Sequence, residues 1–259
     1  MPSPDRLVLS AVSVEWMDCV DSTNEEGLRR ATRPGGHGPI WIAARQQMGG
    51  RGRNGRQWVS PPGNLYASLL LTFPRPLPSV AQLSLVAGLA AYDAVERLAP
   101  GRIFTLKWPN DLLLEGAKLG GILIEGRVGV QSTGHCVVIG IGLNLAHHPE
   151  IAGRQITSLA ALNASATPDQ ALAHLSTAFC SWLNVWQEGA GLADICKAWM
   201  ARALPAGTPV TVNTGPEQLQ GQFLGLDLDG AMLLGLANGQ HRRITFGDVD
   251  IAAPDGADR

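Results

Sequence analysis

The chain has 259 residues, of which 45% are hydrophobic and 16% charged, and its formal net charge at pH 7 is −2. These values are typical of a globular protein with room for one main domain and a smaller one. No apolar run reaches the roughly 20 residues of a membrane span, and the first residues lack a secretory signal pattern. The four cysteines are scattered, without metal-type spacing. We therefore expect a cytoplasmic protein with reduced thiols, no membrane association and no protein-built metal site.

Short apolar runs and longer helical patterns alternate over the first two hundred residues and predict a mixed α and β domain. Strands are predicted over residues 12–16, 40–44, 65–73, 104–107, 111–114, 119–125 and 137–141. One helix is predicted to begin at Asp21 or Ser22, and another to span residues 80–98. Pro168 opens a third, long helix, and a shorter one is predicted to end near Arg202.

The pattern changes after about residue 204. Apolar residues then recur with a period of two over residues 210–212, 222–224, 232–234 and 243–245. Asp-Gly at 229–230 and Asn-Gly at 238–239 are strong hairpin signals. A small all-β module is therefore predicted, and the chain divides into two predicted domains, residues 1–203 and 204–259.

The densest chemical signal is the run Gly-Gly-Arg-Gly-Arg-Asn-Gly-Arg at residues 49–56. Neither a hydrophobic core nor a regular helix or strand favours this mixture. Glycine lets backbone N–H groups approach a phosphate, and arginine forks onto phosphate or carboxylate oxygens. The run therefore predicts an anion-binding loop whose glycines act as hinges. A solvated basic surface and a nonspecific nucleic-acid patch are the alternatives.

The surroundings of this loop are rich in arginine and poor in acid. No carboxylate occurs between Glu26 and Asp93. The same part of the chain contains Arg29, Arg30, Arg33, Arg45, Arg51, Arg53, Arg56 and Arg75. A cleft lined by one sign of charge attracts the opposite sign, so this arginine block favours a positively charged cleft.

Gly50, Gly52 and Gly55 also match the pattern G-x-G-x-x-G of dinucleotide-binding folds. That motif should open a helix and be followed by an acidic residue about twenty positions later. Here Pro-Pro-Gly follows at residues 61–63, and no acid occurs before Asp93. The pattern therefore does not indicate a dinucleotide site, and the common phosphate-binding loop G-x-x-x-x-G-K-[ST] is also missing from the sequence.

A second cluster comprises Lys-Trp-Pro-Asn-Asp at residues 107–111 and Lys-Leu-Gly-Gly-Ile at residues 118–122. Alone, it is compatible with turn residues and a solvated hairpin lysine. Together with Ser-Thr-Asn at 22–24, the segment 47–53 and Gly-Ile-Gly-Leu-Asn at 140–144, it resembles the biotin protein ligase family. The five blocks occur in that family's order and spacing, and the resemblance runs from about residue 14 to residue 251.

The resemblance implies an α+β fold in which a mixed β-sheet is flanked by helices, similar to class II synthetases, with a small C-terminal SH3-like β-barrel. It implies two reactions: biotin and ATP, with Mg²⁺, give biotinyl-5′-adenylate, and a lysine of a biotin carboxyl carrier domain then takes the biotin. Some family members have an N-terminal helix-turn-helix. Ser22 lies so early that we expect a monofunctional ligase, monomeric or homodimeric, without specific DNA binding.

The same resemblance assigns roles to individual residues by matching position. Lys118, Arg51 and Asp111 would be catalytic. Biotin would be bound by Ser22, Thr23, Asn24, Gln47, Gly50, Arg51, Gly52, Arg53, Lys118, Gly121, Leu123 and Gly140. ATP and the adenylate would be bound by Arg51, Arg53, Trp58, Lys107, Asn110, Asp111, Lys118 and Asn144. Mg²⁺ would enter with ATP.

Three alternatives remain open at this stage. A lipoate ligase of the same superfamily would share the fold, although the Gly-Arg-Gly-Arg run favours biotin. A DNA-binding regulator could use the arginine block, but the negative net charge is unfavourable for that class. A catalytically inactive biotin-binding module is disfavoured because Lys118 and the arginine-rich loop are both present. Asn54 occupies a position where many family members have a basic residue, which makes this loop slightly less positive.

Overall fold

The computed structural model describes residues 9–33, 38–73, 77, 79–128 and 135–252. Within these residues the strands are β1 Ser13–Val20, β2 Ile40–Gln47, β3 Leu65–Phe73, β4 Phe104–Lys107, β5 Asp111–Leu114, β6 Ala117–Val128, β7 His135–Leu143, β8 Pro209–Asn213, β9 Gln218–Leu226, β10 Met232–Gly235, β11 His241–Ile244 and β12 Asp248–Ile251. The helices are α1 Thr23–Ala31, α2 Gln82–Leu98, α3 Pro168–Trp186 and α4 Leu192–Met200. No helix of the described chain is both long and apolar enough to cross a bilayer.

The first seven strands form one mixed sheet in the order β1-β2-β3-β7-β6-β5-β4. Strands β1 and β2 are parallel, and the other neighbouring pairs are antiparallel. All seven predicted strands are present, several of them longer than predicted, and the predicted mixed sheet with flanking helices is confirmed. The proline-rich segment 74–76 that follows β3 lies outside the described residues.

Alternation along the strands divides the large sheet into two faces with different roles. In β3, Leu69 and Leu71 join the main core, which α2 and α3 cover, whereas Leu70 packs with Leu28 of α1 on the opposite face. Successive strand residues point to opposite faces, so Ser68 shares the α1 face with Leu70. The α1 face is therefore the one that carries polar residues.

An irregularity in β6 keeps two predicted site residues on the α1 face. Leu112 of β5 lies opposite Gly120 and Leu113 lies opposite Lys118, so Leu119 is an extra residue in β6. Such a β-bulge breaks the simple alternation of side chains. Leu119 is buried in the main core, while Lys118 lines the same cavity as Gly121 three residues later. Simple alternation would place Lys118 and Gly121 on opposite faces of the sheet.

The C-terminal strands form a separate five-stranded sheet in the order β11-β10-β9-β8-β12, with antiparallel neighbours. The four predicted strands and the all-β character of this module are confirmed. Strand β12 was not predicted, because it has only four residues and two of them are aspartates, which are depleted in strands. The buried side chains of Val212, Phe223 and Met232 are continuous with the main core.

Candidate active site

A cavity of about 790 Å³ opens on the α1 face of the large sheet. Its walls come from the start of α1, the segment 51–59, strands β4 to β7 and the C-terminal strand β12. The sheet contributes its α1 face, including residues 121–123 of β6 and 140–142 of β7. Segments far apart in sequence, which carry the predicted site residues, therefore meet in one place.

The cavity brings together nearly all of the predicted site residues. Those that line it are Ser22, Thr23, Asn24, Gln47, Arg51, Gly52, Arg53, Trp58, Lys107, Asn110, Asp111, Lys118, Gly121, Leu123, Gly140 and Asn144. Gly50 is the exception. An added Cβ there would lie 2.5 Å from the Trp58 carbonyl oxygen and 2.6 Å from Ser60 Oγ. Gly50 thus lets the two arms of the loop pack together and is not part of the lining.

A polar pocket surrounds the N-terminus of α1, where Ser22 is the N-cap residue. The Gln47 side-chain oxygen accepts hydrogen bonds from the Thr23 backbone N–H at 2.9 Å and from its hydroxyl at 3.2 Å. Gln47 Nε2 donates to Ser60 Oγ at 3.0 Å, and Ser68 Oγ lies 2.7 Å from Thr23 Oγ1. This network holds the Gln47 amide in one orientation and so preorganises the pocket.

Asn24 forms the floor of this pocket and is held on both ends of its amide. Its Nδ2 donates to Glu125 at 2.8 Å and to the Leu123 carbonyl oxygen at 3.3 Å, and its Oδ1 accepts from Ser68 Oγ at 2.6 Å. A Cβ added at Gly140 would lie 2.2 Å from Asn24 Oδ1. The close approach of Asn24 to β7 therefore requires glycine at position 140.

Trp58 lies against glycines of the sheet within the cavity. A Cβ added at Gly142 would come within 2.7–2.9 Å of the indole, and one at Gly121 within 3.3 Å. Lys118 Nζ lies 5.8 Å from the ring centroid. The indole Nε1 is buried and has no hydrogen-bond partner among the described residues. Because buried donors are normally paired, this N–H is available to an acceptor atom of a ligand.

Two lysines and one aspartate form the charged centre of the cavity. Asp111 accepts from Lys118 Nζ at 2.5 Å and pairs with Lys107 Nζ at 3.0 Å. Burial raises the pKa of the Asp111 carboxyl, but Lys118 and Lys107 outweigh burial and hold this pKa below its ordinary value. Lys107 also donates to the Val249 carbonyl oxygen at 2.6 Å. The Lys118 side chain is 31% exposed and that of Lys107 13%, so Lys118 is the ammonium more open to a ligand.

Asn110 and Asn144 are both tied to the protein backbone. Asn110 Nδ2 donates to the Ile122 carbonyl oxygen at 2.8 Å, and its Oδ1 accepts from Arg53 at 3.2 Å. Asn144 Nδ2 donates to the Thr157 carbonyl oxygen at 3.1 Å. These bonds fix the walls of the cavity and hold the Arg53 guanidinium against Asn110.

The arginine-rich loop closes on itself as a short hairpin. The Gly52 backbone N–H donates to the Arg56 carbonyl oxygen at 2.7 Å, and residues 53–55 form a 3₁₀ turn between them. Arg51 forms ion pairs with Glu25 of α1 and, at 3.3 Å, with Glu125 of β6. Arg51 thus bridges the helix and the sheet at the edge of the polar pocket.

The arginine block contributes less to the cavity than the sequence indicated. Arg29, Arg30 and Arg45 form ion pairs away from the lining, with Asp21, Glu15, Glu26 and Asp169. Of this arginine block, only Arg51, Arg53 and Arg56 line the cavity among the described residues, and Arg75 lies outside those residues. The lack of acidic residues nearby in the sequence gave no indication of the carboxylates that lie near these arginines in the folded chain.

Five side chains with clear positions in the site were not singled out from the sequence: Arg56, Ser60, Ser68, Glu125 and Asp248. Ser68 had a usable signal, because it is a polar residue inside the apolar run of β3. Arg56 belongs to the loop run but was given no role. Asp248 had no signal, since its significance depends on contacts with residues almost two hundred positions earlier.

Profiles of two known families match this chain. Residues 16–144 match the Biotin/lipoate A/B protein ligase family, and residues 206–251 match the Biotin protein ligase C terminal domain. The two matches correspond to the large sheet with its cavity and to the C-terminal sheet.

Two named proteins and one solved structure are similar to this chain over most of its length. A biotin–[acetyl-CoA-carboxylase] ligase of Paracoccus denitrificans is 39% identical over 224 residues, covering 83% of this chain and 90% of that protein. The protein of the same name from Mycobacterium tuberculosis is 33% identical and covers 95% of this chain and 92% of its own length. The structure of a biotin protein ligase from Aquifex aeolicus in complex with biotin and ATP is similar with a TM-score of 0.77, at 27% identity, over 93% of this chain and 99% of that one. From its matched sequence and its fold, this chain belongs to the biotin protein ligase family.

Proposed function

We propose that this protein activates biotin with ATP to biotinyl-5′-adenylate and transfers the biotin to a lysine of a biotin carboxyl carrier domain. The observation that carries the proposal is one cavity that contains both a preorganised polar pocket and a cluster of cations. A small polar ring system fits the pocket of Ser22, Thr23 and Gln47. Lys118 and Arg53 are placed to bind phosphate and carboxylate oxygens.

In the first reaction, a biotin carboxylate oxygen attacks the α-phosphorus of ATP and pyrophosphate leaves. Negative charge is then concentrated on the oxygens around phosphorus, and preorganised cations stabilise it. Lys118 is the ammonium with room toward the ligand, while Lys107 is held by Asp111 and a backbone carbonyl. The unpartnered Trp58 N–H supports its assignment to the nucleotide half of the site.

In the second reaction, the neutral amine of the carrier lysine attacks the mixed anhydride, and AMP leaves. The lowered pKa makes Asp111 a weak base, so its better supported role is to orient Lys118. An acyl adenylate hydrolyses when water reaches it, so the loop over the cavity has a protective role.

Magnesium would enter bound to the phosphates of ATP, where it neutralises part of their charge. The lining residues suit this arrangement, since Asp111 is already paired with two lysines. Among the described residues, no group of three or more His, Cys, Asp or Glu is arranged to hold a metal ion.

The proposal includes the finer features that the resemblance implies. We assign residues 1–203 to the catalytic domain and 204–259 to a C-terminal domain of SH3-like type, supported by its five antiparallel strands. All four cysteines are free thiols, which supports a reducing, cytoplasmic location. Lipoate is the alternative substrate, and the similarity to named biotin ligases over most of the chain favours biotin.

ATP-dependent transfer of biotin to a carrier domain tests the proposal directly. The wild-type protein is expected to biotinylate the carrier, and Arg51→Ala is expected to reduce the rate roughly tenfold or more, because a positioned cation at the pocket is lost. Arg45→Ala is the matched control, since Arg45 pairs with Asp169 outside the cavity. Wild-type activity with lipoate in place of biotin, or equal losses in both variants, would contradict the proposal.

Gly140→Ala is expected to raise the KM for biotin roughly tenfold or more, because the added methyl group displaces Asn24 from the pocket floor. Biotin-dependent exchange of pyrophosphate into ATP measures this KM. Gly126→Ala is the control on the neighbouring strand, where an added Cβ would meet only the Cys136 carbonyl oxygen, at 3.8 Å. An unchanged KM in Gly140→Ala would show that Asn24 does not shape the biotin pocket.

A further inference from the structure

One carboxylate of the C-terminal sheet meets three side chains of the arginine-rich loop. Asp248, the first residue of β12, accepts from Arg56 at 2.5 Å and from Asn54 Nδ2 at 3.0 Å, both on Oδ2. Its other oxygen lies 3.8 Å from Arg53 Nη1. The Asp248 side chain is only 17% exposed. Three neighbouring side chains of the loop thus converge on one half-buried anion.

The tip of the loop needs an external anchor because few bonds within the loop hold it. Gly52 and Arg56 are joined by one backbone hydrogen bond, and Arg56 N donates to Arg53 O at 3.2 Å. At the tip, Asn54 has a left-handed φ of 56° and Gly55 one of 70°, so the tip is a tight turn. Asn54, Gly55 and Arg56 are exposed, and no core packing fixes them.

The strand that carries Asp248 also reaches the lysine pair. The carbonyl oxygen of the next residue, Val249, accepts from Lys107 Nζ at 2.6 Å, and Lys107 pairs with Asp111. Strand β12 therefore contacts both the loop and the charged centre of the cavity through two adjacent residues. Arg53, which faces Asp248, is in turn bonded to Asn110 on the cavity wall.

We propose that Asp248 is a positioning residue that latches the arginine-rich loop over the cavity. Its charge holds Arg56 and Asn54, which places Arg53 beside Asn110 and the lysines. Asp248 itself takes no part in bond making. The effect on catalysis rests on the proposed ligase function, whereas the latch itself is tested without turnover.

Limited trypsin digestion of the ligand-free protein tests the latch, because trypsin cuts after arginine and Asp248→Asn leaves every arginine of the loop in place. Cleavage after residues 51, 53 and 56 is expected to be roughly fivefold faster in Asp248→Asn, since the loop opens more often. Asp248→Glu keeps the charge and should stay nearer to the wild type.

Glu217→Gln is the matched control, since Glu217 pairs with Arg242 within the same C-terminal sheet and does not line the cavity. Its loop cleavage should equal that of the wild type. Equal cleavage in Asp248→Asn and wild type, or the same increase in Glu217→Gln, would reject the latch. Arg56→Gln removes the other partner of the ion pair. In the Arg56→Gln protein, Asp248→Asn should increase cleavage after Arg51 less than it does in the wild type, and an equal increase would also reject the latch.

Biotin-dependent pyrophosphate exchange measures the effect of the latch on catalysis. Asp248→Asn is expected to raise the KM for ATP several-fold, with a smaller change in kcat, because a poorly held Arg53 weakens nucleotide binding before chemistry. Faster cleavage with an unchanged KM would reject the positioning role. Absence of exchange in the wild type would instead refute the proposed ligase function, and the proteolysis result would still decide the latch.

Discussion

Lys118→Ala is expected to lower the rate of biotin-dependent pyrophosphate exchange roughly a hundredfold or more. Lys118 is the more open of the two ammonium groups that pair with Asp111. Removing one preorganised donor from a centre of developing charge typically costs about 10²- to 10³-fold in rate. Lys118→Arg should restore little activity, because the larger guanidinium has to fit beside Trp58 and Gly121.

Lys197→Ala is the control for this prediction, because Lys197 is an exposed lysine on α4. It removes the same charge and should leave the exchange rate unchanged. Normal exchange in Lys118→Ala would show that Lys118 does not serve adenylate formation. In that case Lys107, the other lysine of the pair, would be the next candidate.

Asp111→Asn is expected to lower both exchange activity and the free energy of unfolding, the latter by about 3 kcal/mol at pH 7. The change leaves the ammonium groups of Lys107 and Lys118 close together without the carboxylate that separates them. Urea unfolding of both proteins measures the difference. Asp169→Asn is the control, since the Asp169–Arg45 pair is exposed and such pairs contribute little.

The pH dependence of this difference has a definite sign. The folded-state pKa of Asp111 is lowered, so its stabilisation is fully present above the unfolded pKa of about 3.9. The difference between wild type and Asp111→Asn should therefore be constant from pH 8 to about pH 5. It should shrink as the pH falls below about 4 and through the folded pKa. A difference that grows with acidification would contradict the assigned ion pairs.

Much of the fold was predictable from the sequence because its elements are locally specified. Strand β3 was predicted with its observed bounds, and α3 begins at Pro168 as predicted. Local chemistry limited the N-cap of α1 to Asp21 or Ser22, and Ser22 is the cap in the structure. The short strand β12 was not predictable because its partner β8 is distant in sequence. The extra residue Leu119 was not predictable because only the exact register between β5 and β6 defines it.

The candidate site was likewise predictable only in part. The family resemblance led to Lys118, Asp111 and Gln47, and the unusual mixture of glycine and arginine led to the loop. The arginine pattern did not separate Arg51 and Arg53, which line the cavity, from Arg45, which pairs with Asp169 elsewhere. Which arginines meet acids is decided by distances in space, and ion pairs act over only a few ångströms.

The sequence alone determined the mixed α and β architecture and the all-β end of the chain, because periodicity is a local property, and its family resemblance led to sixteen of the residues that line the cavity. Only the tertiary structure decided that a bulge at Leu119 turns Lys118 toward the same face as Gly121. It alone showed that Asp248 meets Arg56 across 192 positions of sequence. Side-chain direction depends on strand register, and charge pairing depends on proximity, so both follow from the folded chain as a whole.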